Sequence, residues 1–339
     1  MTPAIFGLSG LTLNDDERAF FKESDPAGYV LFARNIENRQ QLRALTDDLR
    51  AVHGRDDLLI SIDQEGGRVA RMKPPEWDAF PSGAVFADLY DLAPASAIEA
   101  ARVNAQMLAF DLAEAGINVD YLPLLDVRQP GAHDVIGDRA LGGSPMQVAA
   151  LGRAILDGLA SGGVTGCIKH IPGHGRAGAD SHKELPVVDA ARDELAIDFE
   201  PFRTLNHAPI GMSAHVLYTA LDSDRPATLS PTIITDIIRG EIGFDGLLLT
   251  DDVDMEALSG TVPERAAAAL AAGCDIVLNC WAKMADMEGI AAACPSITEN
   301  AAARLQRALH PVQNAADLPD RSELAAKRDQ LLDLVKQNA

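Results

Sequence analysis

Eight short apolar runs recur along the chain, and no other feature limits its fold so tightly. They occupy residues 4–7, 29–33, 58–62, 117–123, 164–169, 210–214, 246–250 and 275–278. Each is rich in branched aliphatic residues and too short for a helix, which suits strands of a parallel sheet buried on both faces. Helical patterns fill the intervals. Ser144-Pro145-Met146-Gln147 reads as an N-cap, a proline at the first helical position and a capping-box glutamine. Behind it Val148, Leu151, Ile155 and Leu159 share one face. Ser230-Pro231 opens another helix with Ile233, Ile234, Ile237 and Ile238 as its apolar stripe. The alanine-rich segment 95–115 stops at Gly116, a fitting left-handed cap. Segments 47–53 and 264–272 are also helix-like.

Strands alternating with helices make this an α/β chain, and eight of them predict one closed (β/α)₈ barrel of the TIM type. An open doubly wound sheet is the structural alternative. No G-x-G-x-x-G follows any apolar run, which weakens its nucleotide-binding version. The 339 residues carry no Gly/Ser linker or change in composition. They are therefore expected to form a single catalytic domain, 1–339, with helices from about 283 onward completing the outer layer.

The net charge of −21 excludes nucleic acid and anionic membranes as natural partners. No run approaches the roughly 18 apolar residues of a membrane span. The start, Met1-Thr2-Pro3-Ala4, lacks a basic segment followed by an apolar stretch. Cys167, Cys274, Cys280 and Cys294 show no C-x-x-C spacing and read as small buried hydrophobes in a reducing compartment. The expectation is a cytoplasmic protein.

In such a barrel the active site lies where the strands end. Four runs end in polar groups: Asp63-Gln64-Glu65 with Arg68 and Arg71 beyond, Lys169-His170, Ser213-Ala214-His215, and Thr250-Asp251-Asp252. After Lys169 comes a loop, 171–186, that is long for its type and holds His174 and Asp180-Ser181-His182. Gly173, Gly175 and Gly178 give it conformational freedom. Asp180 and His182, two apart, point the same way if the segment is extended, and a carboxylate beside an imidazole makes a general acid/base for neutral pH. The plainer readings are structural: Asp252 or Asp254 capping a helix, Glu65 partnering Arg68 or Arg71, His174 holding the loop, Met255 and Cys167 packing. Convergence of several polar strand ends favours the functional reading. Spacing alone does not choose between Asp251 and Asp252.

The motifs 169–175 (KHIPGHG) and 180–182 (DSH) resemble the signature of the NagZ-type β-N-acetylglucosaminidases (β-hexosaminidases) of glycoside hydrolase family 3. Segments 63–71 (DQEGGRVAR), 137–139 (GDR), 226–230 (PATLS) and 250–255 (TDDVDM) are similar to further family motifs, so the resemblance runs from about residue 4 to 280. It implies Asp251 as nucleophile, His182 as acid/base with Asp180 as its partner, and Asp63, Arg71, Arg139, Lys169 and His170 as sugar-binding residues. It also implies an exo-acting, retaining enzyme that frees terminal GlcNAc from GlcNAc-1,6-anhydro-MurNAc and its peptides during cell-wall recycling. No cofactor or metal is implied, and the expected partner is a small carbohydrate met by a monomer. Ile171 stands where the family usually has phenylalanine, Arg176-Ala177-Gly178-Ala179 where relatives often have an Asp-Thr pair, and TDD where many have SDD or SDA.

Four other readings stay open at this level. A β-glucosidase of the same family usually carries a second domain, for which the chain is short. A metal-dependent hydrolase would use His170, His174, Asp180 and His182 as ligands, although no H-E-x-x-H spacing is present. A sugar-binding protein without catalysis, or a phosphorolytic enzyme, would share the same residues.

Overall fold

The computed structural model describes residues 1–55, 58–309 and 319–337. Each apolar run coincides with, or overlaps, a parallel strand: β1 (Thr2–Gly7), β2 (Pro26–Leu31), β3 (Leu59–Ile62), β4 (Val119–Asp120), β5 (Thr165–Ile171), β6 (Ile210–Ser213), β7 (Leu247–Asp252) and β8 (Ile276–Asn279). They pair in sequence order, and β8 closes onto β1. The result is a (β/α)₈ barrel of the TIM type. β4 is only two residues long because Pro123 cuts its ladder short. β7 runs two residues past the expected end and carries Asp251 and Asp252 within the sheet.

Alternation along the strands sorts side chains into two layers. Ile5, Leu59, Val119, Cys167, Leu247, Leu249 and Ile276 pack together inside the barrel. Their neighbours Phe6, Ile60, Ile168, Leu248 and Val277 face the surrounding helices. Each such buried aliphatic contributes about 1.5–3 kcal/mol before entropy is counted.

The helices are α1 (Asp15–Ser24), α2 (Arg39–His53), α3 (Gly83–Leu92), α4 (Pro94–Glu114), α5 (Pro145–Ser161), α6 (Ala196–Thr204), α7 (Val262–Ala272), α8 (Met284–Ala293), α9 (Glu299–Leu309) and α10 (Arg321–Gln337). Gly116 ends α4 at φ +76°, where a Cβ would lie 2.4 Å from the Thr46 hydroxyl oxygen. α5 starts at Pro145 as expected, but no capping box forms. Gln147 turns away and donates to the Ala87 carbonyl at 3.0 Å. The four isoleucines at 233–238 are buried as expected, on a wider π-helical coil, Ile233–Glu241, rather than an α-helix. The Ser230 hydroxyl caps it, accepting from the Ile233 N–H at 3.1 Å.

The C-terminal helices take two positions. α10 lies along α4, with Leu324 buried and Arg321 2.8 Å from both Asp78 and Asp111. α9 does not join the outer layer, as the sequence suggested; it seals the lower end of the barrel. Its Leu305 and Ala308 join the inner cluster, and the Thr165 hydroxyl at the start of β5 donates to the Ala308 carbonyl at 2.7 Å. Arg304 ties it to Asp275 at 3.0 Å and Asp245 at 2.8 Å. Cys167, Cys274 and Cys280 are buried and Cys294 is half-buried, all as free thiols. Among the described residues no helix is long and apolar enough to cross a membrane.

Candidate active site

The upper end of the barrel holds a cavity of about 490 Å³, and every sequence-predicted site residue lines it: Asp63, Arg71, Arg139, Lys169, His170, Asp180, His182 and Asp251. Its floor is a lattice of charges supplied by strand ends. Lys169 on β5 lies 3.0 Å from Asp63 and 2.7 Å from Glu65, both just beyond β3. Glu65 also takes the Arg139 guanidinium in a two-point fork, 2.8 Å at each oxygen. Arg71 lies 3.3 Å from the second oxygen of Asp63. Glu65 was expected to pair with Arg68 or Arg71; it points inward instead, and Arg68 bonds Asp138 at 2.8 Å. Burial alone would push the Glu65 carboxyl up and the Lys169 ammonium down. Their mutual attraction, with Arg139 and Asp63 beside them, overrides this and keeps Glu65 and Lys169 charged. These groups form a ready set of donors and acceptors for the hydroxyls of a neutral ligand.

Asp251 is the penultimate residue of β7, 8% exposed. Burial raises its pKa, but the nearby His170 and His215 rings, the Asp252 N–H at 2.8 Å and Lys169 bring the balance below the usual carboxylate range. Asp252 has the opposite fate. Burial first, and the charge of Asp254 second, hold it well above that range. Their surroundings thus drive the two carboxyls in opposite directions, Asp251 toward the ionised form and Asp252 toward the neutral one, a distinction that spacing did not offer. Neither Asp252 nor Asp254 caps a helix. Asp252 accepts N–H bonds from Asp254 and Cys280, both at 3.1 Å, and α7 is capped by Thr261 and Glu264.

His170 connects this carboxylate to a second one. Its Nδ1 is 2.8 Å from Asp126 and its Nε2 3.9 Å from Asp251. Asp126 is fully buried, which raises its pKa, yet His170 and the N–H groups of His170 and His174 hold it below the ordinary range. Being ionised it accepts, so Nδ1 carries the proton and Nε2 faces Asp251. Sequence reasoning missed Asp126 because the fourth run was taken to stop at Pro123; an aspartate three residues past that proline was the available signal. Phe32, Tyr121 and Trp281 also line the cavity and were not singled out. His215 does not reach it. Buried behind Asp251, it bonds the Thr228 hydroxyl at 2.8 Å and the Asp252 carbonyl at 3.0 Å.

The histidine loop forms the opposite wall. Asp180 and His182 face each other through a turn, not an extended segment: one Asp180 oxygen accepts from the His182 N–H at 3.0 Å and meets ring Nδ1 at 2.9 Å. Burial raises the Asp180 pKa, but these two contacts bring it below the ordinary range. The His182 side chain is 62% exposed at the rim. The loop glycines serve close approach more than freedom. A Cβ on Gly175 would lie 2.0 Å from the Val127 carbonyl oxygen, and one on Gly173 2.8 Å from the Asp198 Cβ. Arg176 anchors the loop to Asp198 on α6, and the Tyr218 hydroxyl donates to the Gly173 carbonyl at 2.8 Å. The alternative metal-ligand set is not assembled. The His170 ring and the His174 backbone N–H bond Asp126 while His182 pairs with Asp180, and among the described residues no cluster of His, Cys, Asp and Glu is arranged to hold a metal.

Comparison with known proteins agrees with this arrangement. The model of the glycosyl hydrolase family 3 N-terminal domain matches residues 5–315. A β-hexosaminidase of Bordetella avium is 40% identical over 283 residues, covering 82% of this chain and 80% of its own. One from Chromobacterium violaceum is 40% identical over 310 residues, covering 90% and 86%. The crystal structure of NagZ from Neisseria gonorrhoeae in complex with N-trifluoroacetyl-D-glucosamine superposes with a TM-score of 0.88 at 31% identity, covering 98% of each chain. With this match in sequence and in barrel, the chain belongs to glycosyl hydrolase family 3.

Proposed function

We propose that this chain, a glycoside hydrolase of the β-N-acetylhexosaminidase type, removes terminal β-linked GlcNAc with retention of configuration, from GlcNAc-1,6-anhydro-MurNAc and its peptide-bearing forms. The observation that carries the reading is one cavity with an ionised buried aspartate, Asp251, below an aspartate-oriented imidazole at the rim. Asp251 attacks the anomeric carbon while His182 gives its proton to the departing glycosidic oxygen. The glycosyl–Asp251 ester forms as the glycosidic bond breaks. His182, now neutral, takes a proton from water, whose oxygen attacks the same carbon and releases Asp251. Two inversions restore the β configuration. Most retaining glycosidases use two carboxyl groups for these steps, about 5–5.5 Å apart. Here an imidazole replaces one of them, and Asp180 fixes its tautomer by accepting from Nδ1. That leaves Nε2 for the leaving group.

The floor binds the sugar. Lys169 and Arg71 donate to hydroxyls, Asp63 accepts, and Arg139 and His170 complete the surround. A sugar lacking the matching hydroxyl leaves a buried donor unpaired, which costs selectivity factors of about 10⁴ in comparable sites. The neisserial relative holds an N-acylated glucosamine, and transfer of that preference to this chain supports the GlcNAc assignment. The whole chain acts as one catalytic unit, a monomer working in the cytoplasm on cell-wall fragments, without metal or cofactor.

The test is hydrolysis of p-nitrophenyl β-GlcNAc with EDTA present throughout. The expected outcome is turnover by the wild type and a loss of about a thousandfold or more in kcat for Asp251→Ala. Full activity in that variant would displace the nucleophile, and turnover lost to EDTA would restore the metal-dependent alternative. A higher rate on p-nitrophenyl β-glucoside would move the assignment to a β-glucosidase. A glycosyl phosphate formed in phosphate buffer would make the acceptor phosphate instead of water.

A further inference from the structure

Of the two tryptophans, Trp77 is buried and Trp281 is 62% exposed. Trp281 nevertheless lines the cavity, immediately after β8. Single exposed apolar side chains are ordinary on a protein surface, Met146 at 76% among them; what sets Trp281 apart is that it lines the cavity.

The backbone beneath this indole is firmly held. The Cys280 N–H donates to Asp252 at 3.1 Å and to Asp254 at 3.2 Å, and the Trp281 N–H donates to Asp254 at 3.3 Å. The Asn279 side-chain amide donates to the same Asp254 oxygen at 2.7 Å. Arg34 donates to the Cys280 carbonyl. Ala282 follows at φ +56°, a left-handed conformation uncommon for a residue with a Cβ. A side chain displayed on so constrained a backbone is preorganised, which lowers the entropic cost of using it for binding.

Depth identifies what it meets. The Lys169 side chain at the floor is 2% exposed, whereas the His182 side chain and Trp281, both lining the same cavity, are each 62% exposed. The bond that breaks lies between the floor-bound sugar and an oxygen at His182. Whatever hangs from that oxygen therefore lies at the rim, where Trp281 stands. A pyranose ring offers an apolar C–H face for an indole and hydroxyls for its N–H. The Lys283 ammonium lies over the indole, 5.7 Å from the ring centroid, a cation–π contact that helps to hold the ring in place.

We propose that Trp281 is the stacking platform for a sugar ring in the leaving group, and that it sets the preference for glycosidic substrates with a second sugar. The inference rests on the glycosidase reading above, and the test separates the two. Two substrates share the GlcNAc unit and differ in what departs: β-GlcNAc fluoride, whose leaving atom is too small to touch Trp281, and the β-1,4-linked GlcNAc disaccharide. Both kcat/KM values report formation of the glycosyl-enzyme. Trp281→Ala is expected to lower kcat/KM for the disaccharide about tenfold or more and to leave the fluoride within about twofold, the range of an interface anchor against a bystander. Trp281→Phe, which keeps a ring, is expected to recover most of the loss. Equal losses on both substrates would mean a structural role and would overturn the platform, as would no loss on either. A wild type that cleaves the fluoride but not the disaccharide would overturn it too. A wild type inactive on the fluoride would remove the glycosidase reading itself, and the platform with it.

Discussion

His174 shows how a single buried ring shapes the behaviour of this cavity. Burial first, then the proximity of His170, pushes its pKa down to about 4, and its Nδ1 has no hydrogen-bond partner. An unfolded chain protonates this imidazole near the ordinary value of about 6.5. Between about 4 and 6.5 the unfolded state therefore holds a proton that the folded state refuses, so folding stability falls as pH falls through that window. The contribution at stake is at most about 3 kcal/mol. His174→Phe removes the titration while keeping the ring. Urea midpoints at pH 7.5 and 4.5 are expected to lie closer together in the variant; an unchanged gap would assign the acid sensitivity to other groups. Glu65 makes the complementary point. Its two cationic partners keep it charged in a place where an isolated carboxylate would be neutral, so removing either partner strands a buried charge.

At the scale of elements, the loop after β5 links the fold to the chemistry. Its Arg176 bonds Asp198 on α6 and the Glu194 carbonyl at 2.9 Å. This tether positions His182 from a distance. Arg176→Ala is expected to lower kcat about tenfold while KM for p-nitrophenyl β-GlcNAc changes little, because the floor that holds the sugar is untouched. Equal loss in both parameters would mean that the loop also shapes the sugar site. The same loop shows where the sequence was legible. Strand number and order followed from apolar runs, since a strand buried on both faces has few other solutions. The polar strand ends pointed to the cavity for the same reason. The local geometry was less accessible. Asp180 and His182 meet through a turn, Gln147 leaves its cap for a carbonyl on α3, and Glu65 chooses Arg139, 74 residues away, over Arg68 and Arg71. Each outcome depends on a tertiary partner that spacing does not encode. Asp126 was hidden for another reason: β4 is so short that its strand end lacked a clear position.

At the scale of the molecule, α10 and the catalytic cavity are energetically separable. Leu324 on α10 is 3% exposed against the outer core, far from the strand ends. Leu324→Ala is expected to cost about 2–3 kcal/mol in urea unfolding and to leave kcat/KM within about twofold of wild type. A parallel loss of activity in the folded variant would reveal coupling between the helical shell and the site. The charge of the whole chain is likewise decoupled from the cavity. The molecule carries −21, yet beneath the cavity Asp63 and Glu65 are paired with Arg71, Arg139 and Lys169, as befits an uncharged sugar. The lower end of the barrel, sealed by α9, and the charge lattice above it have a last consequence. A polymer cannot thread a blind well. On the proposed function a terminal unit descends to the floor, one sugar is trimmed per visit from the tip of a chain, and the product leaves by the door through which the substrate came.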